Sequence, residues 1–227
     1  MKRIVQAELL DTLPAGDSRA IRSRQDLRRV NGWMRQHALM ADALKEALNS
    51  HAPAQITELG AGDGTFLLRV ARTISPRWPN VSATLLDRQR NVTPDTLVDF
   101  AALGWRAEVV VADVFDQPQI SCEVMIANLF LHHFAEARLT ELFQLIAQHS
   151  KFFIALEPSR AAWPLFCSRL LWVIGCNAVT RHDAVISVRA GFSGTELSTL
   201  WPDKQSWQLT ERPAGTFSHL FIARKII

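Results

Sequence analysis

The chain has 227 residues, 48% of them hydrophobic, which is enough to bury one sizeable core and predicts a single globular domain. A net charge of +3, with the basic residues spread along the chain, gives no case for a nucleic-acid partner. Cys122, Cys167 and Cys176 lack metal-ligand spacing and make no disulfide framework, and the start MKRIVQAELLDTLPAGDS lacks a signal peptide's apolar run, so a reducing, cytoplasmic setting is expected.

Residues 19–50 place Ile21, Leu27, Val30, Met34, Leu39, Ala43, Leu44 and Leu48 at roughly helical spacing and predict one or two amphipathic helices. Their arginine-rich side reads as a solvated face with ion pairs to Asp26, Asp42 and Glu46. Residues 1–50 are expected to form a helical cap belonging to the same domain as residues 51–227. From Gln55 onward, apolar runs at 55–60, 82–87, 107–114, 122–131 and 151–158 alternate with helical patterns at 64–75, 93–103 and 135–149. That alternation predicts an α/β fold with a doubly wound sheet.

The connection over 157–192 is long for a strand-to-helix link and reads as a lid or binding wall. Its Trp163, Phe166, Leu170, Leu171 and Trp172 suit an apolar acceptor pocket or, equally, a buried helix. Pro164 and Arg169 argue against a membrane span, so no stable membrane insertion is expected. Arg181, His182, Asp183 and Arg189 either hold a carboxylate or phenolate or form surface ion pairs. Residues 205–227 predict two strands joined through a Pro-Ala-Gly turn, and therefore an antiparallel strand in the sheet.

The most informative stretch is ITELGAGDGTFLLRVA at 56–71. A strand ending at Gly60 and a helix starting near Gly64 put free backbone N–H groups at a helix N-terminus, and Gly60, Gly62 and Gly64 let a ligand approach the backbone. Asp87 closes the next strand where a Rossmann-type fold carries a carboxylate for ribose hydroxyls, and Asp113 closes the one after. Either acid is alternatively a helix cap or turn former. His132 and His133 follow the fourth strand at the ligand-binding edge, where imidazole suits deprotonation of a phenol. No metal site is expected from the spacing of His, Cys and acids.

The run Glu58-Leu59-Gly60-Ala61-Gly62-Asp63-Gly64 resembles the first motif of the class I S-adenosylmethionine-dependent methyltransferases. The resemblance implies a Rossmann-like, seven-stranded sheet with an antiparallel C-terminal strand and S-adenosyl-L-methionine as cofactor. It implies that Glu58, Gly60, Ala61, Gly62 and Gly64 form the cofactor loop, with Glu58 near the methionine amine. Asp87 with Arg88 would serve the ribose, Asp113 with Val114 would flank the adenine, and Asn128, Leu129 and the residues up to His133 would lie beside the methionine and methyl groups. Residues 126–143, IANLFLHHFAEARLTELF, look like small-molecule methyltransferases of ubiquinone and menaquinone biosynthesis. Residues 181–197, with RAIRSRQDLRRVNGWM, resemble bacterial enzymes that tailor polyketides and aryl lipids. The implied activity is O-methylation of a small phenolic or polyketide/lipid-derived acceptor, free or carrier-protein-bound, with His133 or His132 as base. Alternatives are C-methylation of an aromatic or quinone-like acceptor and a non-catalytic partner subunit. A nicotinamide-dependent oxidoreductase fits less well, because Thr65 and Phe66 break the Gly-x-Gly-x-x-Gly spacing.

Overall fold

The computed structural model describes residues 1–14, 16–116 and 121–226. In chain order these form α1 (Leu9–Thr12), α2 (Ser18–Trp33), α3 (Gln36–Ala47), β1 (Gln55–Leu59), α4 (Thr65–Ile74), β2 (Ser82–Asp87), α5 (Pro94–Ala102) and β3 (Arg106–Val111). There follow β4 (Val124–Asn128), α6 (Glu136–His149), β5 (Phe152–Pro158), α7 (Ala162–Arg169), α8 (Ala178–Ala190), α9 (Glu196–Leu200), β6 (Trp207–Ala214) and β7 (Ser218–Lys225). The strands make one sheet in the order β3-β2-β1-β4-β5-β7-β6. β1 to β5 are parallel, and β7 runs antiparallel between β5 and β6. The strand order reverses between β1 and β4, which opens a crevice beyond their carboxyl ends.

The central strands are apolar because both faces are covered: Val124, Met125, Ile126 and Ala127 of β4 are all buried. One face packs on Met40, Leu44, Leu68, Ile74 and Phe100. The other packs on Leu139, Ile146 and an aromatic group in which Phe153 and Trp201 stack with centroids 5.7 Å apart. α3 is therefore part of the core and not a cover, whereas α1 and α2 lie over the crevice, which Leu10, Asp11, Arg24 and Leu27 line. Asp17 caps α2 by accepting from Arg19 N at 2.8 Å, and Asn177 caps α8 by accepting from Thr180 N at 2.8 Å. Of the expected local ion pairs, Arg29 with Asp26 and Lys45 with Asp42 form, whereas Glu46 pairs with Arg212 of β6.

Three boundaries differ from the sequence pattern, each for a local reason. β3 stops at Val111 because Asp113 turns the chain, accepting from Phe115 N at 3.0 Å. β4 stops at Asn128 because Leu129 takes a positive φ of 52°. Pro213 and Ala214 stay paired inside β6, so residues 215–217 make the hairpin turn, with Gly215 at φ 61°.

Candidate active site

The site grows from the carboxyl end of β1. Gly60, Gly62 and Gly64 all have positive φ, at 69°, 57° and 72°, a region where an L side chain is strained. A Cβ on Gly60 would overlap the Phe130 ring, and one on Gly64 would lie 2.9 Å from Leu85 Cδ1. A Cβ on Gly62 would meet nothing within 4 Å, so the loop presents bare backbone to open space at that point. Ala61 N donates to Leu86 O at 3.0 Å and Gly62 N donates to Asp87 Oδ2 at 2.9 Å, which fastens the loop to the end of β2.

Two cavities meet over this loop. The first has a volume of about 510 Å³ and reaches from Glu58, Gly62 and Asn128 to Val30, Met34 and Leu171. The second, of about 530 Å³, is lined by Asp87, Arg88, Asp113, Val114 and Phe134. Gly60, Leu129 and His133 line both and mark where they join. Asp87 keeps one carboxylate oxygen on Gly62 N and the other on Gln89 N at 2.8 Å, while Asp113 holds its own turn. Both acids thus serve the local backbone while facing the cavity. Leu129 donates its N–H to Leu156 O at 3.0 Å, which holds its left-handed conformation, a strained one for leucine.

Three residues that line the first cavity carry buried polar atoms with no partner: Glu58 Oε2, Asn128 Oδ1 and both amide atoms of Gln36. Each such atom is expensive to bury unsatisfied, so their convergence on one cavity points to a polar, charged occupant. Burial, then the charges of Asp63 and Asp87, hold the Glu58 carboxyl well above the usual carboxylate range, against a hydrogen bond from Leu67 N–H at the start of α4. A cation beside it would restore its charge.

The two histidines differ sharply. His132 is buried, its Nδ1 2.8 Å from Glu157 Oε2 and its Nε2 3.4 Å from Glu8 Oε1. Burial alone would lower its pKa, but the hydrogen bonds and charges of Glu157 and Glu8 outweigh that and raise it to about 9. Glu157, fully buried at the end of β5, also accepts from Phe130 N, Leu131 N and His132 N, and so sets the whole 131–133 turn. His133 is part-exposed, and its pKa is lowered by burial and by the neighbouring His132 charge. Its Nδ1 lies 3.6 Å from Asp11 Oδ2. Sequence spacing showed no metal site, yet Glu8, His132 and His133 bring ligand-type atoms within 4.8 Å of one another. With a proton on His132, Glu8 and Glu157 face a cation already in place.

The sequence reading missed Glu8, Gln36 and Glu157. It also treated Asp183 as a surface or ligand group; the structure corrects this, because Asp183 is buried and accepts from Leu9 N and Leu10 N, each at 2.9 Å, which anchors the N-terminal segment over the site. In the long connection, Leu171 lines the cavity together with Pro164 and Cys167, but Trp163, Phe166, Leu170 and Trp172 point outward and are exposed. The apolar pocket is thus made mainly by other residues than those the sequence suggested. Among the described residues, no helix is long and apolar enough to cross a membrane.

No protein-family profile and no curated protein matches the sequence. Solved structures do. An O-methyltransferase family protein from Burkholderia thailandensis matches over 93% of this chain at 20% identity and a TM-score of 0.62, and this chain spans 61% of that protein's length. The plantazolicin methyltransferase BpumL, in complex with a monoazolic desmethylPZN analog and SAH, matches over 89% of this chain and 90% of its own at 10% identity and a TM-score of 0.63. Magnesium protoporphyrin IX methyltransferase from Synechocystis PCC 6803, with bound SAH, matches over 86% of this chain and 84% of its own at 9% identity and a TM-score of 0.54. Together with the strand order and the antiparallel β7, these likenesses show that the chain has the Rossmann-like methyltransferase fold.

Proposed function

We propose that the chain is an S-adenosyl-L-methionine-dependent methyltransferase acting on an oxygen of a small phenolic or polyketide/lipid-derived acceptor. The observation that carries this reading is the set of unpartnered, buried atoms, Glu58 Oε2, Asn128 Oδ1 and the Gln36 amide, on residues that line one cavity. An amino-acid moiety offers an ammonium to the two acceptors and a carboxylate to the Gln36 amide. Bare backbone at Gly62 and the carboxylate of Asp87 suit the nucleoside half in the adjoining cavity. When bound, the cofactor supplies an electrophilic methyl group on a sulfonium, which carries its own leaving group, so transfer needs no metal.

The chain's own part is alignment and proton removal. His133 lines both cavities, and burial with the charge of His132 lowers its pKa and so favours the neutral, proton-accepting form. Asp11 beside Nδ1 favours the proton there and leaves Nε2 to accept the acceptor's hydroxyl proton. His132, already protonated, is a positioning residue that carries no base function. Leu27 and Val30 of α2, with Met34 at its C-terminal end, supply an apolar wall for an aromatic body.

Calorimetry with S-adenosylmethionine and S-adenosylhomocysteine tests the reading, and binding of neither would sink it. His133→Ala should leave cofactor affinity intact and lower kcat by about 10²–10⁴-fold. Equal loss of cofactor binding would refute the role given to His133.

A further inference from the structure

Helix α7 is apolar on both faces. Pro164, Cys167 and Leu171 follow each other at helical spacing and line the first cavity. Trp163, Phe166 and, just past the helix end, Leu170 follow each other at the same spacing on the outer face, where Trp163 is 57% and Phe166 51% exposed, and the turn that follows adds Trp172 at 59% and Val173 at 63%. The Trp163 and Phe166 rings stack with centroids 5.7 Å apart. Five large apolar side chains on so short a segment exceed the scattered exposure of an ordinary soluble surface.

We propose that this outer face docks on an anionic lipid bilayer. Charge selects the bilayer over other occupants. From Ser159 to His182 the chain has no Asp or Glu, while Arg169 and Arg181 are exposed. α2, which carries the exposed Arg22, lies against the end of the same segment: Asp26 Oδ2 accepts from Asn177 N at 2.8 Å, and Asn177 Nδ2 donates to Arg19 O at 2.9 Å. A basic rim around an apolar, tryptophan-bearing plate matches the headgroup region of a bilayer with anionic lipids. A second copy packed by two-fold symmetry would set these arginines against themselves. α7, with eight residues, is too short to span and would lie in the interface. One helix then separates the bilayer from the cavity, so an acceptor with a long apolar body passes from one to the other without crossing open water. That last link rests on the proposed methyl transfer; the docking does not.

Flotation of the full chain with phosphatidylcholine vesicles, with and without phosphatidylglycerol, tests the docking. Association is expected only with phosphatidylglycerol present, weakening as salt rises, and falling about tenfold or more in a Trp163→Asp, Phe166→Asp double variant. Calorimetric cofactor binding and thermal unfolding report whether that variant is folded. Arg169→Glu with Arg181→Glu, which alters only exposed charges, should reduce the association as well. No flotation of the wild-type chain, or flotation of both variants equal to that of the wild type, overturns the proposal. So does a wild-type dimer in light scattering that becomes a monomer in the double variant, because a second copy then covers the face. Flotation without any cofactor binding would instead overturn the methyltransferase reading and leave the docking standing.

Discussion

The floor of the site and its cover are fastened by bonds of very different reach. The floor's Gly62 to Asp87 bond joins residues 25 apart, at the carboxyl ends of neighbouring strands in the middle of the sheet. The cover's bonds join residues 174 apart from Leu9 to Asp183, and 131 apart from Arg3 Nη2 to Phe134 O. The floor's backbone is paired on both sides, whereas the N-terminal segment is tied by Ile4 N to Arg189 O, Leu9 N and Leu10 N to Asp183, and the side chains of Arg3 and Glu8. A rigid cradle under a strap with few ties is what ligand exchange requires, since segments with few protected bonds open at low cost without global unfolding.

The largest expected effect is on the floor. Gly62→Val puts a β-branched side chain into open space at φ 57°, so it blocks the approach to the backbone and adds roughly 1–3 kcal/mol of strain. Cofactor binding by calorimetry should fall about a hundredfold or more, to the edge of detection. Retained affinity would mean that the ligand approaches elsewhere and that the floor is not the cradle.

The second effect sits where floor and cover meet, at the Glu157, His132 and Glu8 chain. A histidine whose folded pKa is about 9, against an ordinary 6.5, contributes stability that is fully present below pH 6.5 and is lost as pH rises through about 9. The loss is on the order of 3 kcal/mol and is measurable by urea unfolding across that window. His133 works in the opposite sense, since its lowered pKa takes away stability as pH falls. Glu8→Gln removes one of the two carboxylates and should lower the NMR-detected His132 midpoint. An unchanged midpoint would break the electrostatic link between strap and sheet.

The same contrast decides what could be read from sequence. Strand runs, crossover helices and the glycine spacing are local patterns, so the sheet, the loop and the placement of Asp87 were legible. Glu157 left a signal that went unread: it is the one charge inside FFIALEP, and an acid in a strand covered on both faces must have buried partners. Gln36 left none, because it sits in an ordinary helical pattern and its meaning lies in atoms that lack a partner. Glu8 meets His132 and Ser187, and Asp183 meets Leu9 and Leu10, across 124 or more residues, through a fold that brings both chain regions to one sheet edge.

The smallest effect belongs to the cover alone. Asp183 accepts from the first two amides of α1 with its two carboxylate oxygens, so it caps that helix from outside. Asp183→Asn keeps one acceptor, loses the charge and should weaken the strap by about 1–2 kcal/mol. Hydrogen exchange at the Leu9 and Leu10 amides should speed up about tenfold, while the β1 and β2 amides keep their protection and the melting temperature moves little. If strap and sheet lose protection together, they open as one unit, and ligand exchange would then require motion of the sheet edge itself.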